Sequence, residues 1–174
     1  FTPAPVHRID RNTSGIVLIA KNMLASQELT KMFKERTNIV KSYLALVKGI
    51  LKGKGEINKN LIKDDNKSFV RVCKSNEGMT ALTLYEVKEH IQNYSLVSLT
   101  LKTGRTHQLR VHFAHMGAAI VGDDIYGTLG NFAVPRGIKL SFVIRKRLHS
   151  CARKAVENKL YKRSDGRFAA FVGC

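Results

Sequence analysis

Short apolar runs separated by polar, glycine-bearing connections restrict this chain's fold more than any other feature. "IVLIAK" (Ile16 to Lys21) is β-branched and reads as a buried strand. "VKSYLALVK" (Val40 to Lys48) puts Tyr43, Ala45 and Val47 on one side and Ser42, Leu44 and Leu46 on the other, with Gly49 ending the run. "SFVRVC" (Ser68 to Cys73), "TALTLYEV" (Thr80 to Val87) and "SLVSLTL" (Ser95 to Leu101) follow; in the last, Val97, Leu99 and Leu101 alternate with Ser98 and Thr100. Successive strands with short polar connections predict an antiparallel sheet.

Two segments break the two-residue period. Asn22 is placed to cap a helix to about Arg36, with Ala25, Leu29, Met32 and Phe33 on one face. After Thr103-Gly104, the stretch Arg105 to Met116 reads as a second helix closed by Gly117. Leu51 to Lys67 is rich in Lys, Asn, Gly and Asp and reads as a solvated loop or hairpin region, whose Lys52, Lys54, Lys59, Lys63 and Lys67 are either phosphate contacts or a solvated face. "AAIVGDDIYG" is an apolar run into a Gly and Asp turn, and "KLSFVIRKRLH" and "RFAAFVG" are candidate later strands. The fold class is therefore α+β, a mixed, mostly antiparallel sheet with flanking helices, expected as one domain over residues 1–174.

The charge balance selects partners. Thirty Lys plus Arg against 13 Asp plus Glu give a net charge of +17, more than solubility requires, so a polyanion is expected: RNA, DNA or an anionic membrane surface. No apolar run approaches the roughly 20 residues that span a bilayer, and no leader opens the chain, so a soluble, cytoplasmic protein is expected. Because Phe1 is not an initiator Met, an organelle or the nucleus stays open. Cys73, Cys151 and Cys174 are odd in number, widely spaced and without a CxxC pair, which argues against a disulfide framework or a zinc ribbon.

Few residues are left for chemistry. His112 and His115 share a helix face, but His107, five residues before His112, would lie about 140° away, and no Cys or Glu stands at ligand spacing, so no metal is expected. There is no GxSxG elbow, phosphate loop or GxGxxG. Asp123-Asp124 sits where acids cap turns. In "VHRIDRNTSG" (Val6 to Gly15) one carboxylate, Asp10, lies between Arg8 and Arg11. Such a pattern is more often a structural salt bridge. Arginine neighbours also favour a carboxylate's charged form, which suits a nucleophile better than a general acid.

Three stretches, "VHRIDRNTSGIVLIAKN", "KSYLALVKG" and "LKTGRTHQLRVHFAHMGAAIVGDDIYG", resemble in order the signatures of the RluA-type pseudouridine synthases, with a weaker echo in "RLHS" (Arg147 to Ser150). The resemblance implies the pseudouridine synthase fold with a central basic catalytic cleft, and an isomerase that detaches uracil from its ribose, rotates it and rejoins it through carbon 5, without cofactor or metal. It implies Asp10 as the catalytic residue, acting either as nucleophile or as the base of a glycal route. By the same resemblance Tyr43 stacks on the target base and helps remove the carbon-5 proton. Arg110 pairs with Asp10, a role that a helix register would let it share with His107, three residues before. Arg8 helps fill the space left by the extruded nucleotide, and Arg105, His107 and Gln108 position the RNA backbone or support the site. Thr13, Ser14 and Gly15 are expected to shape the turn that aims Asp10.

The ends depart from the family pattern. A Lys-Pro-x-Gly strand and turn, and an S4-like RNA-binding module, precede the first signature in many members, and neither stands here; after "RLHS" the usual His-Pro pair is missing. Residues 1–174 are thus expected to be one catalytic domain, monomeric, lacking its N-terminal strand, acting on large-subunit ribosomal RNA or transfer RNA. The competing expectation is a non-catalytic RNA-binding protein on the same fold.

Overall fold

The computed structural model describes residues 1–10, 13–35, 39–64, 69–74 and 76–127, and the backbone of three later strands, 140–146, 160–162 and 168–172. The chain divides into two compact units, Phe1–Lys41 with Ser141–Cys174, and Ser42–Leu140. No described helix is long and apolar enough to cross a membrane.

In the first unit β1 (Ala4–Pro5) runs antiparallel to β2 (Thr13–Ala20). On β2 lies β11 (Phe168–Val172), parallel, from Ile16↔Phe168 to Ala20↔Val172. β10 (Leu160–Lys162) pairs antiparallel with β11, and β9 (Leu140–Lys146) lies on the other side of β2. The two later strands read from the sequence are β9 and β11, whereas three-residue β10 carries too short a pattern to read. The "RLHS" echo and most of residues 147–174 lie outside the described residues. β2 begins at Thr13, so Thr13, Ser14 and Gly15 are strand residues, and the Thr13 N–H donates to the Asp10 carbonyl at 3.0 Å.

Helix α1 (Met23–Glu35) starts where Asn22 Oδ1 accepts the Ala25 N–H at 2.8 Å, satisfying one of the orphan donors of the first turn. Its apolar face is the expected one. Ala25 and Leu29 are buried and pack with Leu18 and Ala20 of β2, flanked by Val6, Ile16, Met32 and Phe33. Full burial of Leu29 alone stabilises by roughly 1.5–3 kcal/mol.

The second unit is built on an antiparallel sheet in the order β3 (Ile39–Lys48, of which Ser42–Lys48 belongs here), β8 (Tyr94–Leu101), β7 (Leu82–Ile91) and β4 (Lys54–Asn58). The register sets Tyr43 opposite Leu99, Leu99 opposite Tyr85, and Tyr85 opposite Gly55. A register shift bends β7 between Val87 and Glu89. Ala45, Val47, Ile57, Val97 and Leu99 form the core face, covered by Leu109 and Phe113 of helix α2 (Gln108–His115) and by Ala118 and Ile120.

The Leu51 to Lys67 stretch, described as far as Asp64 with Lys67 outside the described residues, follows the hairpin half of its reading and not the solvated-loop half. It holds β4 and β5 (Leu61–Lys63), the latter paired with β6 (Val70–Val72). Ile57 and Leu61 are buried, and the lysines around them hide that from a window average. Leu61 and Val70 join Ala81, Val111 and Tyr126 in a second cluster.

Helix α2 starts three residues later than its pattern suggested, because His107 adopts a left-handed conformation (φ 53°, ψ 16°). Its end is a Schellman motif. Gly117, at φ 74°, donates to the Ala114 carbonyl and Ala118 to that of Phe113.

Candidate active site

Asp10 belongs to the first unit, where the strand-like segment before it is held against β2. The Val6 N–H donates to the Leu18 carbonyl at 3.1 Å, and the Leu18 N–H donates to His7 Nε2 at 3.0 Å. The His7 ring stacks on Phe33, centroids 4.8 Å apart. Burial, with a smaller contribution from the Lys41 charge, lowers the His7 pKa to about 4 against the opposing effect of a hydrogen bond to the Arg8 backbone. The ring therefore stays neutral and keeps accepting from Leu18 at neutral pH. Arg8 is exposed and Asp10 partly buried. A half-buried His7 and an exposed Arg8 thus fix how the segment before Asp10 lies against β2. His7 escaped the sequence reading, although the alternation across "HRID" was the available signal.

The other expected residues stand in the second unit. Tyr43 is partly buried on β3 and packs against the sheet core. The segment Thr103 to Gln108 is tied down by one amide. Gln108 Oε1 accepts from Thr103 Oγ1 (2.8 Å) and the Arg105 N–H (3.0 Å), and Nε2 donates to the Leu82 carbonyl (3.1 Å) and Thr83 Oγ1 (3.0 Å). Gln108 is only 2% exposed. This corrects its expected contact with RNA: its amide is spent bracing the loop, which is the supporting half of the role. Arg105 is partly exposed and anchored by its Nε to the Thr80 carbonyl at 3.1 Å.

His107 lies outside the helix, so no helical register links it to Arg110; the two meet instead through Tyr126. His107 Nδ1 is 2.9 Å from the Tyr126 hydroxyl, which also accepts the Val70 N–H at 2.9 Å. The Arg110 guanidinium lies 5.0 Å from the Tyr126 ring centre. Arg110 also forms a two-pronged ion pair, Nε to Asp123 Oδ2 and Nη2 to Asp123 Oδ1, both at 2.8 Å, with Asp124 Oδ1 at 3.9 Å. The side chains of Arg110 and Asp123 are 13% and 3% exposed.

Burial alone would raise the Asp123 pKa; the Arg110 hydrogen bonds and charge and the N–H groups of Tyr126 and Ile125 outweigh it, and the net direction is down. Asp123 caps its turn as its sequence context predicts: Oδ1 accepts the Ile125 and Tyr126 N–H groups at 3.0 Å each. Its second task, clamping Arg110, is what local sequence does not reveal. Among the histidines weighed for zinc, His112 is buried with Nδ1 at 3.0 Å from Thr83 Oγ1 and Nε2 at 3.1 Å from the Lys59 carbonyl, so both ring nitrogens have protein partners.

A family model described as RNA pseudouridylate synthase matches residues 1–115. Ribosomal large subunit pseudouridine synthase D of Haemophilus ducreyi is 33% identical over 138 residues, 79% of this chain and 41% of the relative. Ribosomal large subunit pseudouridine synthase C of Rickettsia conorii is 42% identical over 125 residues, 70% of this chain and again 41% of the relative. The chain thus spans less than half the length of these curated relatives. Among solved structures, human RNA pseudouridylate synthase domain containing 1 superposes with a TM-score of 0.72 at 30% identity, covering 83% of this chain and 64% of that one. The match over residues 1–115 of 174, with relatives above 30% identity and a shared fold, means that the chain belongs to the RNA pseudouridylate synthase family.

Proposed function

We propose that this chain is the catalytic part of an enzyme that isomerises uridine to pseudouridine in RNA, with Asp10 as the reacting carboxylate, Tyr43 as the stacking residue and Arg110 as the catalytic cation. The observation that carries the reading is the family match itself: residues 1–115 take in all three side chains. The reaction balances without a co-reactant. The bond between uracil N1 and ribose C1′ breaks, the base turns, C5 bonds to C1′, and the proton lost from C5 is matched by one gained at N1. What the protein must supply is an anion to act on the sugar or base and a site that holds the turned uracil.

The net charge of +17 supports a polyanionic substrate, and exposed Arg8 and partly exposed Arg105 are suited to phosphate contact. The names of the relatives favour large-subunit ribosomal RNA as the substrate. The test is to incubate the protein with total RNA and map pseudouridines site by site, beside Asp10→Asn. The wild type should install pseudouridine at defined positions, and the variant should bind the same RNA with no product. Product from Asp10→Asn at the wild-type rate, or RNA bound by the wild type with no product, overturns the proposal.

A further inference from the structure

The "VGDDIYG" stretch lies outside the three proposed catalytic side chains, yet it surrounds one of them. Asp123 closes on the Nε edge of Arg110, while the guanidinium carbon lies over the ring of Tyr126, itself only 2% exposed, 5.0 Å from the ring centre. Tyr126 is itself fixed by the Val70 N–H, by His107 and by Phe69, whose ring centre is 4.8 Å away. A two-pronged carboxylate and a fixed ring beside it together restrict where a guanidinium sits and how it turns. Stability does not require this: a desolvated ion pair gains little over apolar residues of the same volume.

Resting on the reading that Arg110 is the catalytic cation, we propose that Asp123 is a positioning residue of the catalytic machinery, aiming the Arg110 guanidinium against the Tyr126 ring. Asp123 takes two of the five N–H donors of Arg110 and sets the direction of the rest. The two carboxylate oxygens divide their work, which makes the role separable. Oδ1 holds the Ile125 and Tyr126 amides and one Arg110 prong; Oδ2 accepts Arg110 Nε. Asp123→Asn keeps an oxygen for the turn and sets an NH2 against the Nε–H, so the turn stays and the two-pronged clamp is lost.

Two readouts test this on the intact chain. In 15N-edited spectra the Arg110 Nε–H of the wild type should be protected from solvent exchange. In Asp123→Asn that protection should vanish while the Ile125 and Tyr126 amides stay protected. On the RNA identified by mapping, the single-turnover rate of Asp123→Asn should fall by about 10- to 100-fold, the scale of a misplaced catalytic group, with RNA affinity within about two-fold of wild type. Asp123→Glu, which keeps the charge and shifts the clamp by one methylene, should also be slow. A role for Asp123 through charge alone predicts a normal rate for Asp123→Glu, and that result overturns the proposal. So does an unchanged rate in Asp123→Asn, or a loss that only follows RNA affinity. Failure of the functional reading looks different: there Asp10→Asn stays active, or the wild type makes no product.

Discussion

Gln108→Ala separates support from contact most cleanly. The substitution removes four hydrogen bonds from a residue only 2% exposed; it takes the side-chain acceptor from the Arg105 N–H, while the Leu82 carbonyl, Thr83 Oγ1 and Thr103 Oγ1 each keep one further bond, to Lys102, His112 and Leu82. At a net value of about 0.5–1.5 kcal/mol per bond, with partial compensation by water at the loop side, the expected loss is about 3–4 kcal/mol. In a chain of this length 1 kcal/mol corresponds to roughly 2–4 °C, so calorimetry should record a fall in Tm of about 10 °C, and urea titration a lower midpoint at an unchanged slope. RNA binding reads out the other half. A buried neutral amide releases no counterions, so the slope of log affinity against log salt should not change, whereas Arg105→Ala should reduce it by about one. A Tm within about 2 °C of wild type, together with weakened RNA binding, would refute the reasoning and restore Gln108 to the RNA-facing surface.

Two further outcomes are expected. Burial is the main cause that lowers the pKa of both His7, to about 4, and His112, with Lys41 and His115 adding to the respective shifts. Below the unfolded value of 6.5 the unfolded chain takes up protons that the folded one refuses, so stability should be complete above pH 6.5 and decline toward pH 4; equal urea midpoints at pH 7.5 and pH 5 would contradict this. The lowered Asp123 pKa acts in the same direction only below 3.8, outside that window. In Gly55→Ala the new methyl would meet the Tyr85 ring at 2.6 Å, and Tyr85 is backed edge-on by Phe113 at 5.8 Å, so a loss of about 1–3 kcal/mol is expected, relieved in a Tyr85→Leu background; a neutral Gly55→Ala by denaturant titration would show that the ring yields.

The elements legible in the sequence were those whose pattern is local. β2, β3, β8 and α1 show their period, and the Asn22 cap marks where α1 starts. β4 was not legible, because its lysine, glycine and asparagine say loop and only pairing with β7 makes it a strand, whereas the β5–β6 pair answers to the hairpin alternative. The start of α2 failed for a related reason: the helical pattern runs on through His107, but Gln108 folds back on the Arg105 N–H and fixes a turn there. The proposed catalytic residues Asp10, Tyr43 and Arg110 come from the resemblance of three long stretches to a family's signatures. Asp123 escaped because capping its own turn already explains an Asp in that place, and its hold on Arg110, 13 residues earlier, requires the fold.

Strand β4 closes the sheet order of the second unit at one end, and there the chain's composition has a further effect. A terminal strand is a template on which a second copy can extend the sheet. β4 is five residues long and alternates Lys54, Glu56 and Asn58, all exposed, with Gly55 and buried Ile57. A copy approaching in register would bring like charges together, and the short strand offers few backbone bonds to offset them. The polar residues that conceal β4 from a sequence reading also resist growth of the sheet into chains of molecules as concentration rises.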